Sequence, residues 1–194
     1  MSAALTLTDL GCVRGDRALF GGLALMLNAG GAARITGPNG AGKTSLLRLI
    51  AGLLPTQAGT VEIEGAIAFA GEHAALDRDL PLGRALNYWA KLDGREEAAV
   101  QAALDSMAMR KLVDVPVRML STGQLKRAAL ARVIASGANI WLLDEPANGL
   151  DSDAQARLEA VIAGHRAAGG IAVAATHQPL EMPDAVPVPI GDTE

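Results

Sequence analysis

The stretch that decides the fold is Ala32-Ala33-Arg34-Ile35-Thr36, then Gly37-Pro38-Asn39-Gly40-Ala41-Gly42-Lys43-Thr44, then Ser45-Leu46-Leu47-Arg48-Leu49-Ile50-Ala51. The first five residues read as a strand. The last seven read as a helix with Leu46, Leu47 and Ile50 on one side, and Gly52 and Pro55 supply its stop. Between them stands the spacing G-x-x-x-x-G-K-[ST]. Glycines at these places let the backbone curl so that consecutive N–H groups face an anion, and the following helix adds the positive end of its dipole. The loop from Gly37 to Thr44, with Ser45 opening the helix, is therefore predicted to cradle phosphates. Lys43 would reach the β- and γ-phosphates and the Thr44 hydroxyl would ligate Mg²⁺. A Gly-rich turn alone would be weak evidence; the strand before it and the helix after it make the reading specific.

Working outward, residues 5–10 and 23–27 read as strands of an N-terminal β layer separated by Gly-rich turns, and 61–63 and 67–69 as brief strands around Gly65. From about 74 to 136 the pattern turns helical. Leu82, Leu86 and Trp89 fall at i, i+4 and i+7, as do Val100, Leu104 and Met107; Leu125, Ala129 and Val133 form a further stripe closed by Gly137. Residues 140–143 are a continuous apolar run suited to a buried parallel strand. Ser152 to Gln155 has the form of a capping box opening a helix with Leu158, Val161 and Ile162, ended by Gly169 and Gly170 before a strand at 171–175. The Pro-rich tail after Pro179 reads as irregular. Strands alternating with helices imply a parallel α/β sheet. The organisation expected is one domain: a core of residues 1–73 and 137–194, with 74–136 inserted as a helical subdomain.

Composition narrows the function classes. A formal charge of −4 argues against non-specific affinity for nucleic acid, and two Trp, one Tyr and two Phe leave little for a base-stacking platform. One cysteine, Cys12, cannot form a disulfide or a multi-cysteine metal site within the chain. No apolar run approaches the roughly 20 residues of a membrane-spanning helix, and the N-terminus lacks the pattern of a secretory signal. A membrane role would thus come through a partner. Cys12, Met107, Met109 and His165 are read as packing residues.

Two further motifs carry chemistry. Ile140-Trp141-Leu142-Leu143-Asp144-Glu145 is an apolar strand ending in two carboxylates. There Asp144 could hold Mg²⁺ through water, and Glu145, facing the γ-phosphate, could polarise the attacking water. Leu120-Ser121-Thr122-Gly123-Gln124 sits at the start of a helix whose free N–H groups can take an anion; by itself it is a plain helix cap.

Taken in order, the phosphate loop, Leu120–Gln124, Asp144–Glu145 and Thr176-His177 resemble ABC-type ATPases over nearly the whole chain. The resemblance implies a P-loop NTPase core with an N-terminal antiparallel β layer and an inserted α-helical subdomain. It also implies ATP and Mg²⁺ as cofactors, and two copies that pair head to tail around two ATP molecules. Ser121, Gly123 and Gln124 of one copy would complete the γ-phosphate site of the other. His177 would contact the γ-phosphate, and Asp151 would couple the two sites.

Two positions depart from the family pattern. His73 stands where a glutamine usually approaches Mg²⁺, and either substitutes through a water or is an exposed loop residue. Arg14 stands where an aromatic usually stacks on adenine; a guanidinium can stack on a base, which leaves nucleotide selectivity open. The absence of an Asn-Lys-x-Asp motif argues against a GTPase and the Leu120–Gln124 segment against a kinase. The absence of paired cassettes or basic extensions argues against an ABC ATPase acting on ribosomes or DNA.

Softer features resemble the haem-exporter ATPases of cytochrome c maturation: Cys12-Val13-Arg14-Gly15-Asp16-Arg17, Gly52-Leu53-Leu54-Pro55, His165-Arg166-Ala167-Ala168-Gly169-Gly170, Ala174-Ala175-Thr176-His177-Gln178-Pro179-Leu180, and a chain that stops soon after His177. That resemblance implies integral membrane subunits as partners, docked around 74–92. It implies a haem chaperone as an indirect partner, no nucleic acid, and a place on the cytoplasmic face of the bacterial inner membrane. ATP turnover would be linked to haem delivery or to release of the loaded chaperone. No C-x-x-C-H motif is present, so haem ligation would lie on the partners.

Overall fold

Parallel sheets need cover on both faces, and this chain supplies two different covers. The computed structural model describes residues 3–191, so the outermost residues of the expected core, 1–2 and 192–194, lie outside the described residues. In chain order the elements are β1 (Ala4–Arg14), β2 (Arg17–Asn28), β3 (Ala32–Thr36), α1 (Lys43–Ile50), β4 (Ala58–Glu64) and β5 (Ile67–Ala70). Then come α2 (Leu82–Leu92), α3 (Glu97–Ser106), α4 (Thr122–Ser136), β6 (Ile140–Asp144), α5 (Ser152–Ala167), β7 (Ile171–Ala175) and β8 (Val186–Pro189). One sheet is antiparallel, in the order β2-β1-β4; the other is parallel, in the order β5-β6-β7-β3-β8.

Strand alternation explains how one sheet serves two cores. Along β6, Ile140 and Leu142 face the antiparallel layer and α1, packing with Leu5, Leu10, Leu46 and Leu47. Trp141 and Leu143 face the other way, into the core built from α2–α5. Leu46, Leu47 and Ile50, the expected apolar side of α1, are all buried, each a contribution of about 1.5–3 kcal/mol. Alanine sets the close packing of the helical cover, with Ala85, Ala103, Ala128 and Ala131 essentially inaccessible.

Several expectations are corrected. The helical segment begins at Leu82, not near 74, because residues 74–80 run as an irregular loop. β1 and β2 are longer than expected and run through Gly11, Gly21 and Gly22, because pairing along 11 and 12 residues outweighs the glycines, with register shifts marking the irregularities. The tail is not wholly irregular: β8 joins the edge of the parallel sheet beside β3, with the Ile190 N–H donating to Thr36 O at 2.9 Å. The N-cap of α5 is Asp151 rather than Ser152, its Oδ1 accepting from Ala154 N at 2.8 Å. The reciprocal capping box occurs instead on α4: Ser121 Oγ accepts from Gln124 N (3.3 Å), and Gln124 Oε1 accepts from Ser121 N (2.9 Å).

His165, in the last turn of α5, stacks on Trp141 with ring centroids 3.8 Å apart and planes 7° from parallel. Gly170 lies so close that a Cβ there would fall 2.2 Å from the ring. Burial pushes the His165 imidazole below its ordinary 6.5, against weaker opposing hydrogen bonds from the Ile171 and Asn139 backbones. The unfolded chain therefore binds more protons than the fold between the two values. The stabilisation is complete above about pH 6.5 and is lost as pH falls through the depressed folded value. Melting temperatures from pH 7.5 to 5 should fall more steeply for the wild type than for His165→Gln. Parallel slopes would remove His165 as the cause.

Candidate functional site

Three strand ends converge to make the site. β3 delivers the phosphate loop, β6 delivers Asp144 and Glu145, and β7, paired to both β3 and β6, delivers Thr176 and His177. Gly42 is the N-cap of α1 at φ 108°, and a Cβ there would lie 3.1 Å from the Leu19 side chain, so the loop is pressed against β2. Lys43 is buried and folds back over the loop, its Nζ donating to Gly37 O (2.8 Å) and Pro38 O (3.2 Å).

Behind the lysine, the Thr44 hydroxyl donates to Asp144 Oδ2 at 2.8 Å. Burial raises the Asp144 carboxyl and the neighbouring Glu145 charge adds to this, while Thr44, Lys126 and Arg48 act against it. Lys126 Nζ donates to the Asp144 backbone carbonyl at 2.9 Å, and burial lowers that ammonium against the opposing pull of Asp144 and Glu145. Glu145 occupies the left-handed region at φ 45°, rare for a residue with a Cβ, and its N–H donates to Ala175 O on β7 (2.8 Å). That turn brings Glu145 Oε1 within 2.9 Å of His177 Nδ1, while the His177 N–H donates to Oε2 at 3.4 Å.

A cavity of ≈ 380 Å³ opens beside these groups, lined among others by Thr44, Glu72, Lys126, Asp144, Glu145 and Asn148. His73 is exposed and is absent from that lining, where its neighbour Glu72 stands instead. Arg14 is exposed at the end of β1, opposite Arg17 of β2. Ser121, Gly123, Gln124 and Asp151 gather around a different hollow of ≈ 130 Å³. Gly123 has no room for a side chain, since a Cβ would meet Gly149 O at 2.9 Å. Of the residues singled out in the sequence, then, Lys43, Thr44, Asp144, Glu145 and His177 come together in one place, and the Leu120–Gln124 turn and Asp151 in another.

Sequence reasoning missed Lys126, Glu72 and Asn148. Lys126 carried a usable signal: it sits at i, with Ala129 and Val133 at i+3 and i+7, so a cation falls on the apolar stripe of α4. Glu72 and Asn148 lie in loops with no period to read.

A glycine loop between strand and helix, a lysine folded over it, a hydroxyl–carboxylate pair at the strand ends and a parallel sheet define a P-loop nucleoside-triphosphatase. The ABC transporter family profile matches residues 20–148, more than half of the chain. A protein of Sphingopyxis alaskensis named as the cytochrome c biogenesis ATP-binding export protein CcmA is 57% identical, with 95% of each chain covered. The protein of that name from Zymomonas mobilis is 54% identical, with 94% of this chain and 82% of the relative covered. A Pyrococcus furiosus structure described as an ABC transporter ATP-binding protein aligns with a TM-score of 0.84 at 25% identity, covering 96% and 97%. The chain belongs to the ATP-binding family of ABC transporters and is an ATPase.

Proposed function

We propose that the chain is the MgATP-hydrolysing subunit of a membrane complex for cytochrome c maturation, coupling turnover to haem delivery or to release of a haem-loaded chaperone. The observation that carries the reading is the meeting of Thr44, in the first turn of α1, with Asp144, Glu145 and His177 at the adjacent ends of β6 and β7. Similarity over nearly the full length of the curated relatives supports the particular role. Among the described residues no helix is long and apolar enough to cross a membrane. Attachment to the cytoplasmic face of the inner membrane would then run through integral membrane subunits docked around 74–92.

The donor set fits Mg²⁺: a hydroxyl and a carboxylate, both hard oxygens, already touch, and burial disfavours the bare carboxylate. Thr44 and Asp144 would hold the ion, which would neutralise charge on the β- and γ-phosphates. The amides of Gly37 to Thr44, with Ser45, would bind the phosphates. Lys43 would exchange its loop carbonyls for phosphate oxygens. Glu145 would take a proton from the attacking water while His177 orients its carboxylate and meets the γ-phosphate. A second copy would supply Ser121, Gly123 and Gln124 across a head-to-tail dimer, with Asp151 linking the two sites. Arg14 would contact the base, and His73 would reach the metal only through water.

The test is recovery of tagged Glu145→Gln protein from solubilised membranes with ATP, followed by mass spectrometry. Multi-spanning subunits together with a haem-carrying chaperone support the reading. Unrelated permeases discard the haem role, and ribosomes or DNA-bound proteins overturn the membrane role.

A further inference from the structure

The loop from Ala70 to Ala75 carries Glu72 into the cavity beside Thr44, Asp144 and Glu145, and it is gripped at both ends by two residues with no other assignment. At its start, Arg132 of α4 donates through a terminal guanidinium nitrogen to Phe69 O at 2.5 Å. At its end, Trp89 of α2 donates through Nε1 to Ala75 O at 2.6 Å. The two grips are one unit, because the Arg132 guanidinium lies over the Trp89 ring, 5.1 Å from its centroid. Ala75 is held at φ 52°, a left-handed conformation that a residue with a Cβ keeps only when its surroundings impose it. Arg132 Nε is buried without a partner, so the side chain is placed for the carbonyl and the ring rather than for full satisfaction of its own donors. On the outer side, Tyr88 is 59% exposed and meets Trp89 edge to face, with centroids 6.0 Å apart and planes at 84°.

We propose that Arg132 and Trp89 are positioning residues for the nucleotide site: together they set where the 70–75 loop places Glu72. Both contacts on the loop fall on backbone carbonyls, so the clamp acts on loop position whatever side chains the loop carries. Arg132 ties α4 to the end of β5 at Phe69 O, and Trp89 ties α2 to the far end of the loop at Ala75 O, with Glu72 between the two points.

Trp89→Phe tests the positioning, since it keeps an aromatic ring for Arg132 and Tyr88 while removing the Nε1–H donor together with one ring of the indole. In the full-length chain, amide exchange at 71–76 should become roughly three- to tenfold faster, the loss of one such hydrogen bond, with α4 unchanged. kcat for ATP should fall at least about threefold at unchanged KM, the signature of an interaction that matters for turnover and not for binding. Where Trp89→Phe fails to fold, Arg132→Lys gives the same readouts, keeping the charge and losing the planar stack. Unchanged exchange at 71–76 overturns the proposal. So does faster exchange with unaltered turnover, or a joint fall of melting temperature, kcat and affinity. The turnover readout rests on the nucleotide-site reading: a wild type that binds no ATP would sink that reading, whereas an active wild type with an indifferent Trp89→Phe sinks the clamp alone.

Discussion

Glu145→Gln is expected to leave nucleotide binding intact and to cut ATP turnover by roughly 10²–10⁴-fold, the range for loss of a positioned general base. The substitution is nearly isosteric, and its amide can still meet His177, now 2.9 Å from Oε1. The φ of 45° and the amide bond to Ala175 O are backbone properties and should persist. Only the ability to accept a proton is removed. Phosphate release at saturating ATP, alongside a nucleotide-binding titration, reads both halves. Near-normal release would take Glu145 out of the mechanism, and lost binding would recast it as a structural residue.

Gly37→Ala should have the second largest effect, on stability and on nucleotide binding at once. A Cβ at Gly37 would fall 2.2 Å from Ile190 O and 3.2 Å from its carbonyl carbon, and φ is 149°, where glycine is at ease and alanine is not. Neither contact is with a flexible side chain, so either the chain beyond β8 leaves the sheet or the phosphate loop shifts. A destabilisation of about 3–5 kcal/mol, or about 6–20 °C in melting temperature, is expected, with nucleotide affinity down at least about tenfold. Gly21→Ala is the control, since a Cβ there meets nothing within 4 Å. A Gly37→Ala protein as stable and as tightly binding as the control would mean that β8 yields freely and does not brace the loop.

Legibility in the sequence followed physical range. The phosphate loop, α1, β6 and β7 could be read because their signals are local: glycine spacing, a stop signal, continuous apolar runs. The carboxylate pair and His177 could be placed at strand ends for the same reason. β8 could not be, since Val186-Pro187-Val188-Pro189 has no strand period and becomes a strand only because β3 offers a free edge. The capping box was assigned to Ser152 when two helices had suitable residues, and only geometry separates Asp151 as a simple cap from Ser121–Gln124 as a reciprocal one. Glu72 and the Arg132–Trp89 pair depend on contacts between segments distant in sequence, up to 63 residues for Arg132 and Phe69, with no pattern of their own.

The two prolines of β8 also limit what can pair with this edge of the parallel sheet. With the Ile190 N–H turned inward to Thr36, the two-residue period of a strand aims the nitrogens of Pro187 and Pro189 outward, and neither carries a hydrogen. That border of the sheet has no amide to offer a neighbour at these positions, so another molecule cannot zip on as a sixth strand. Growth of the parallel sheet by strand pairing is thereby opposed on this side and left to the opposite edge, β5.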